Sequence, residues 1–155
     1  MKQTRLGLVV AEFNQTVTSE MLKVAKTRAL ERKAQIRYIC FVPGTFDMPL
    51  FIEELIKKKD IDAIVTLGSV IKGDTAHDEL VANTAARFIA EISVKHQKPV
   101  SLGITGPRMT VKQARDRISI VSKRAVDSAI DMVDRIRKLR NLNENYEGSM
   151  ASIVD

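Results

Sequence analysis

The chain has 155 residues, 25 Lys and Arg against 19 Asp and Glu, and a formal charge of +6. That length is one ordinary domain, burying roughly 70% of its unfolded surface, so no metal or disulfide is needed to hold a core. Apolar residues at 45% and charged residues at 28% exclude a disordered chain, and a single cysteine excludes an intramolecular disulfide framework and fits a reducing compartment.

Leu6 to Ala11 is a continuous apolar run, the mark of a strand buried on both faces. The charged residues before it lead into too short an apolar stretch for a signal peptide. No run approaches the roughly 18 residues of a membrane span, so the expectation is a cytoplasmic protein without membrane contact. Thr16 to Ala34 carries Val17, Met21, Leu22 and Ala25 at helical spacing. Ile36 to Val42 is β-branched and aromatic, stopped by Pro43-Gly44. Asp47 to Lys59 predicts a short helix with Phe51, Ile52, Leu55 and Ile56 inside.

Asp62 to Leu67 predicts a third strand, closed by Gly68. Thr75 to His96 predicts a long helix, opening on a capping-box-like Thr75-Ala-His-Asp78. Lys98 to Ile104 predicts a fourth strand, with Pro99 where it begins. Thr110 to about Arg140 reads as helical throughout, and residues 141–155 as a polar tail that frays. Four strand-then-helix units predict one domain over residues 1–140, a three-layer α/β sandwich with a four-stranded parallel sheet and helices on both faces. The flavodoxin-like strand order 2-1-3-4 is the default at this length.

Ligands in such folds bind beyond the carboxyl ends of the strands, where the strand-to-helix loops gather. Two of these loops display a phenylalanine, Phe13 and Phe46, either lids on the core or a stacking platform. A third, Gly73-Asp-Thr75, leads into a helix start, whose free amide hydrogens attract anions, phosphate above all. His77 lies in that first turn. The helix dipole disfavours its imidazolium while Asp74 and Asp78 favour it, so a proton-transfer role and a plain surface role both stand. His96, in the last turn of the same helix, reads as a structural cap, and Cys40 as a small buried hydrophobe.

Residues 107–140 hold ten Lys and Arg against four Asp and Glu, so the whole positive surplus lies there. A solvated helix face is the plain reading of it. RNA binding finds no platform, because the segment has no aromatic residue on which bases could stack. There is no Walker loop, no Gly-x-Gly-x-x-Gly after the first strand and no Cys/His cluster at zinc spacing. Thr16, Thr18 and Ser19 only weakly imitate a flavodoxin phosphate loop.

Four segments, each at its own strand end, carry a resemblance: Ala11-Glu-Phe-Asn14, Val42-Pro-Gly-Thr-Phe-Asp-Met-Pro49, Leu67 to His77 (LGSVIKGDTAH) and Pro99 to Ile104 (PVSLGI). Together they resemble the 6,7-dimethyl-8-ribityllumazine synthases, most of all the archaeal members, over Leu6 to Arg140. The resemblance implies condensation of 5-amino-6-(D-ribitylamino)uracil with 3,4-dihydroxy-2-butanone 4-phosphate in riboflavin biosynthesis. An amine attacks the ketone, an imine forms, phosphate is eliminated and the ring closes, with neither metal nor organic cofactor. Archaeal riboflavin synthase, a relative acting on the product, is the rival enzyme; Gly73-Asp-Thr-Ala-His77 is the lumazine synthase pattern. A non-catalytic flavodoxin-like module binding flavin or RNA is the rival from another class.

By motif, the resemblance places Phe13 on the pyrimidine ring, with Asn14 shaping its loop. Gly44, Thr45 and Phe46 present backbone groups to the ribityl chain and ring, and Asp47, where the family usually has Glu, accepts ribityl hydroxyls. Ser69, Val70 and Ile71 meet the pyrimidine edge, and Gly73, Asp74 and Thr75 meet the substrate phosphate. His77 matches the proton-transfer residue and Arg117 a phosphate-binding arginine, with Arg108 and Arg124 as rival anion ligands. Leu102 replaces a common Phe as a wall offered by the neighbouring subunit. The resemblance also implies a homo-oligomer, either a pentamer or a sixty-subunit shell of pentamers, with each site completed by two subunits.

Overall fold

The computed structural model describes residues 2–142 and 151–155. The tail expected at 141–155 therefore falls largely, at 143–150, outside the described residues. Strand β1 (Arg5–Ala11) is followed by α1 (Gln15–Glu31), β2 (Gln35–Val42), a 3₁₀ turn at Thr45–Asp47 and α2 (Met48–Leu55). The second half runs β3 (Ala63–Ile71), α3 (His77–His96), β4 (Val100–Ser101), β5 (Ile104–Met109), α4 (Val111–Asp116) and α5 (Ile118–Asn141).

All pairings are parallel, in the order β2-β1-β3-β4, with β5 continuing along β3 beyond β4. That is the order expected. The apolar run of β1 is buried on both faces because helices cover both. Leu6, Leu8 and Val10 share a core with Met21, Ala25, Val126 and Ile130 of α1 and α5. Val9 and Ala11 point the other way, into a core with Ile52, Ala85 and Ile89 of α2 and α3. The two-residue alternation of a strand and the wrap of a parallel sheet thus explain one continuous apolar string.

Five expectations need correction. Phe51, expected on the inner side of α2, is exposed. The fourth strand is two pieces, interrupted at Leu102-Gly103, and the second piece reaches Met109, where a loop is expected. Strand β3 runs on through Ser69 and Val70 to Ile71, so those residues belong to the sheet and not to a connecting loop. The last helix breaks at Arg117 (φ −99°, ψ −4°), after a short α4 capped by reciprocal Thr110 and Gln113 bonds. Thr75 and Asp78 form no capping box: α3 starts at His77 without a side-chain cap, and the Asp78 carboxylate is bonded elsewhere.

Away from the strand ends, Glu53 of α2 ties that helix to the last turn of α3. It accepts from Lys95 Nζ at 2.6 Å and pairs with His96 Nε2 at 3.0 Å. These contacts, that of Lys95 first, hold the Glu53 carboxyl down from 4.5 to about 2. A carboxylate whose pKa falls on folding stabilises the fold above its unfolded pKa and loses that contribution on protonation. The stability gap between parent and Glu53→Gln is therefore expected to be full above pH 4.5 and to close as pH approaches about 2. Urea midpoints across that range check it, and a gap constant with pH contradicts it.

Cys40, half-buried in β2, has its thiol pKa pushed up by burial, in keeping with a small apolar residue.

Candidate functional site

At the carboxyl ends of β1, β2 and β3 the chain forms a cleft of about 430 Å³. Its walls come from three loops. Phe13 and Asn14 stand after β1, Gly44 to Asp47 after β2, and Ser69, Val70, Ile71, Gly73, Thr75 and His77 at the end of β3 and beyond. A larger groove of about 590 Å³ runs between α2 and α3, but its lining is mainly apolar and only Phe46 belongs to both. The smaller cleft is the candidate site, because it combines aromatic walls with convergent polar groups at the strand ends.

Phe13 is 72% exposed and Phe46 58%, so neither is a lid on the core. Their loops are fixed from below. The Phe13 N–H donates to the Pro43 carbonyl at 2.9 Å, joining the first loop to the second. Asn14 takes the left-handed conformation (φ 58°), which its short amide side chain tolerates, and Nδ2 donates to the Ser69 carbonyl at 2.7 Å. In the second loop, Gly44 N–H donates to Asp47 Oδ2 at 2.8 Å, closing the 3₁₀ turn. One of the Asp47 carboxylate oxygens is thus already used inside the loop, whereas the expectation gave this side chain to ribityl hydroxyls. Thr45 is buried, its hydroxyl lying where a Cβ on Gly68 would sit 2.7 Å away. Only glycine at 68 lets the second loop settle on β3.

The start of α3 supplies His77 to the cleft and leaves Gly73 in open space. Asp74, expected beside them, does not line the cleft. Asp78 and Val81 do line it and were not singled out as site residues. Val81 stands four residues after His77, one helical turn along the same face, so the 3.6-residue period carried that signal. No group of three or more His, Cys, Asp or Glu among the described residues is placed to hold a metal ion.

Leu102 and Arg117 are not in this cleft. They line a second one of about 200 Å³, together with Thr105, Gly106 and Arg124. Leu102 is 53% exposed between the buried Ser101 and Gly103, where the strand is interrupted. Thr66 of β3 secures both flanks of this detour: Oγ1 donates to the Ser101 carbonyl at 2.7 Å and accepts from the Gly103 N–H at 3.0 Å. Neither Arg117 nor Arg124 has a side-chain hydrogen bond or ion pair among the described residues, so both forks are available to an anion. Arg108 is in an exposed ion pair, with Nε 2.6 Å from Glu79 Oε1. Of the other basic residues of 107–140, Lys112, Arg137 and Lys138 are in ion pairs, whereas Arg115, Lys123, Arg135 and Arg140 are in none among the described residues.

Fold and cleft together define a flavodoxin-like α/β protein with a small-ligand cleft at the carboxyl ends of its strands. The family described as 6,7-dimethyl-8-ribityllumazine synthase matches residues 3–137. A relative of that name from Saccharolobus solfataricus is 51% identical over 146 residues, 94% of this chain and 95% of the relative. Another from Methanocaldococcus jannaschii is 49% identical over 134 residues, 86% of this chain and 94% of the relative. One from Metallosphaera sedula is 49% identical over 135 residues, covering 87% and 89%. The chain belongs to the 6,7-dimethyl-8-ribityllumazine synthase family.

Proposed function

We propose that the protein is a cytoplasmic lumazine synthase that condenses 5-amino-6-(D-ribitylamino)uracil with 3,4-dihydroxy-2-butanone 4-phosphate, working as a homo-oligomer, either a pentamer or a sixty-subunit shell of pentamers. The observation that carries the reading is the meeting of Phe13, Phe46 and His77 in one cleft, at the amino end of α3. Phe13 stacks on the pyrimidine, and the loop Gly44 to Asp47 meets the ribityl chain. Ser69, Val70 and Ile71 form the edge against which the ring lies. Gly73 and Thr75 bring backbone donors to the phosphate, helped by the positive end of α3.

The chemistry needs little more than this placement. The amine at position 5 of the uracil attacks the ketone carbon, and loss of water gives an imine. Loss of the C3 proton then expels phosphate from C4 with its bonding electron pair and leaves an enol. The enol becomes the C3 ketone with a C4 methyl, and the ribitylamino nitrogen adds to that ketone and closes the ring with loss of a second water. His77 moves protons between nitrogen, oxygen and solvent along that path, a task that adds to the rate without dominating it. His77→Ala is expected to lower kcat about tenfold, short of the roughly 10²–10⁴ of an indispensable general acid–base. A thousandfold loss in steady-state lumazine formation contradicts this.

A single subunit holds the phenylalanine cleft and the Leu102–Arg117–Arg124 cleft as separate surfaces. In the proposed oligomer the second of these faces the first cleft of the neighbouring subunit, so that Arg117 reaches the phosphate and Leu102 walls the ring. Supplying the product lumazine alone distinguishes the rival enzyme: riboflavin formed from it overturns the proposal, whereas no riboflavin, with lumazine formed from the two substrates, supports it.

A further inference from the structure

The turn that ends β5 is held by the first turn of α3. Arg108 has φ +61°, a conformation that costs a non-glycine residue energy unless its surroundings impose it. Here they do. Its N–H donates to Asp78 Oδ2 at 2.8 Å, and its Nε donates to Glu79 Oε1 at 2.6 Å. Asp78 is only 6% exposed, although it stands one residue after the exposed His77 at a helix start. One residue, 30 positions along the chain from Asp78, therefore engages both acidic groups of that first turn.

This arrangement serves two ends. It draws two carboxylates toward Arg108 at the very helix end where backbone amides are otherwise suited to an anion. It also fixes the residue next to His77 to a strand of the sheet, so the helix start cannot fray and carry His77 off its place.

We infer that Asp78 is a positioning residue for His77, acting through its hydrogen bond to the Arg108 amide. The inference rests on the proposed function of the cleft. Kinetics of Asp78→Ala, Asp78→Asn, His77→Ala and the His77→Ala/Asp78→Ala pair test it, together with hydrogen exchange at the Arg108 amide. Alanine removes the acceptor; the asparagine carbonyl keeps it and discards the charge.

Asp78→Ala is expected to lower kcat about fivefold while each KM stays within about twofold, because the reacting groups are displaced and the substrates still bind. Asp78→Asn keeps kcat within about twofold of the parent, and on the His77→Ala background Asp78→Ala adds no further loss. The Arg108 amide exchanges faster in Asp78→Ala than in the parent or in Asp78→Asn. An undiminished kcat in Asp78→Ala, an Asp78→Asn as slow as Asp78→Ala, or a full further loss in the double variant overturns the inference. Should Asp78→Ala not fold, a loss beyond about twofold in Asp78→Asn overturns it alone. A parent protein that forms no lumazine defeats the proposed function instead, and exchange at Arg108 then still reports whether Asp78 holds that turn.

Discussion

Arg117→Ala is expected to raise the KM for the butanone phosphate roughly tenfold to hundredfold while leaving the KM for the pyrimidine nearly unchanged. A charge-assisted hydrogen bond contributes about 1.5–3 kcal/mol, and a guanidinium can offer phosphate two of them in parallel. Arg117 is suited to this because it sits at the break between α4 and α5, its backbone fixed by neighbouring carbonyls and its side chain without an internal partner among the described residues. Arg108, by contrast, is paired to Glu79 in an exposed bridge. An unchanged KM for the butanone phosphate transfers the role to Arg124, which lines the same small cleft. The sharing of each site between two subunits, as proposed, adds a sharper form of the test. Subunits carrying Arg117→Ala, co-assembled with subunits defective in Phe13 and His77, are expected to recover part of the activity, because some interfaces then join two intact halves.

Gly103→Ala is expected to be strongly destabilising for a single added methyl group. A Cβ at this position would overlap the Thr66 carbonyl oxygen and stand 3.0 Å from Ala125 Cβ. Neither neighbour is a flexible side-chain end: one is backbone of the central strand, the other the buried face of α5. Relief requires moving strand and helix apart, at about 3 kcal/mol or more. Thr66→Val is the milder comparison, since it deletes one hydroxyl and leaves the Gly103 N–H and Ser101 carbonyl short of a partner, about 1–3 kcal/mol. Urea unfolding orders the two, and Gly103→Ala within about 0.5 kcal/mol of the parent contradicts the packing described. Both variants also release Leu102 from the detour that exposes it, so activity is expected to fall with stability.

Much of this architecture is legible in the sequence because parallel sheets leave a strong mark. Leu6 to Ala11 has no polar residue, and only a strand covered on both faces explains that at such a length. The strand-end loops are equally legible, since an exposed Phe13 and a Gly73-Asp-Thr75 before a helix have few purely structural reasons to be there. What sequence reasoning misplaced are contacts made across long separations. Asp78 looks like a partner for Thr75 three residues before it, yet its bond goes to Arg108. Ser69 to Ile71 looks like loop because Gly68 precedes it, yet β5 pairs with it and extends the strand. Leu102 and Arg117 belong by motif with Phe13 and His77, yet a single subunit keeps them on a separate surface.

Asp47 lines the cleft and also shapes its own loop. Its carboxylate accepts from the Gly44 amide and so shapes the loop on which Phe46 stands. A side chain one methylene longer at this place would sit differently over the same amide, so the loop and the carboxylate have to be considered together.

The most direct measurement of the central claim follows two signals in one mixture of the protein with 5-amino-6-(D-ribitylamino)uracil and 3,4-dihydroxy-2-butanone 4-phosphate: lumazine absorbance and free phosphate. The predicted result is that both rise together, one phosphate per lumazine, well above the rate of the same mixture without protein. No acceleration over that mixture, or phosphate released without lumazine, contradicts it.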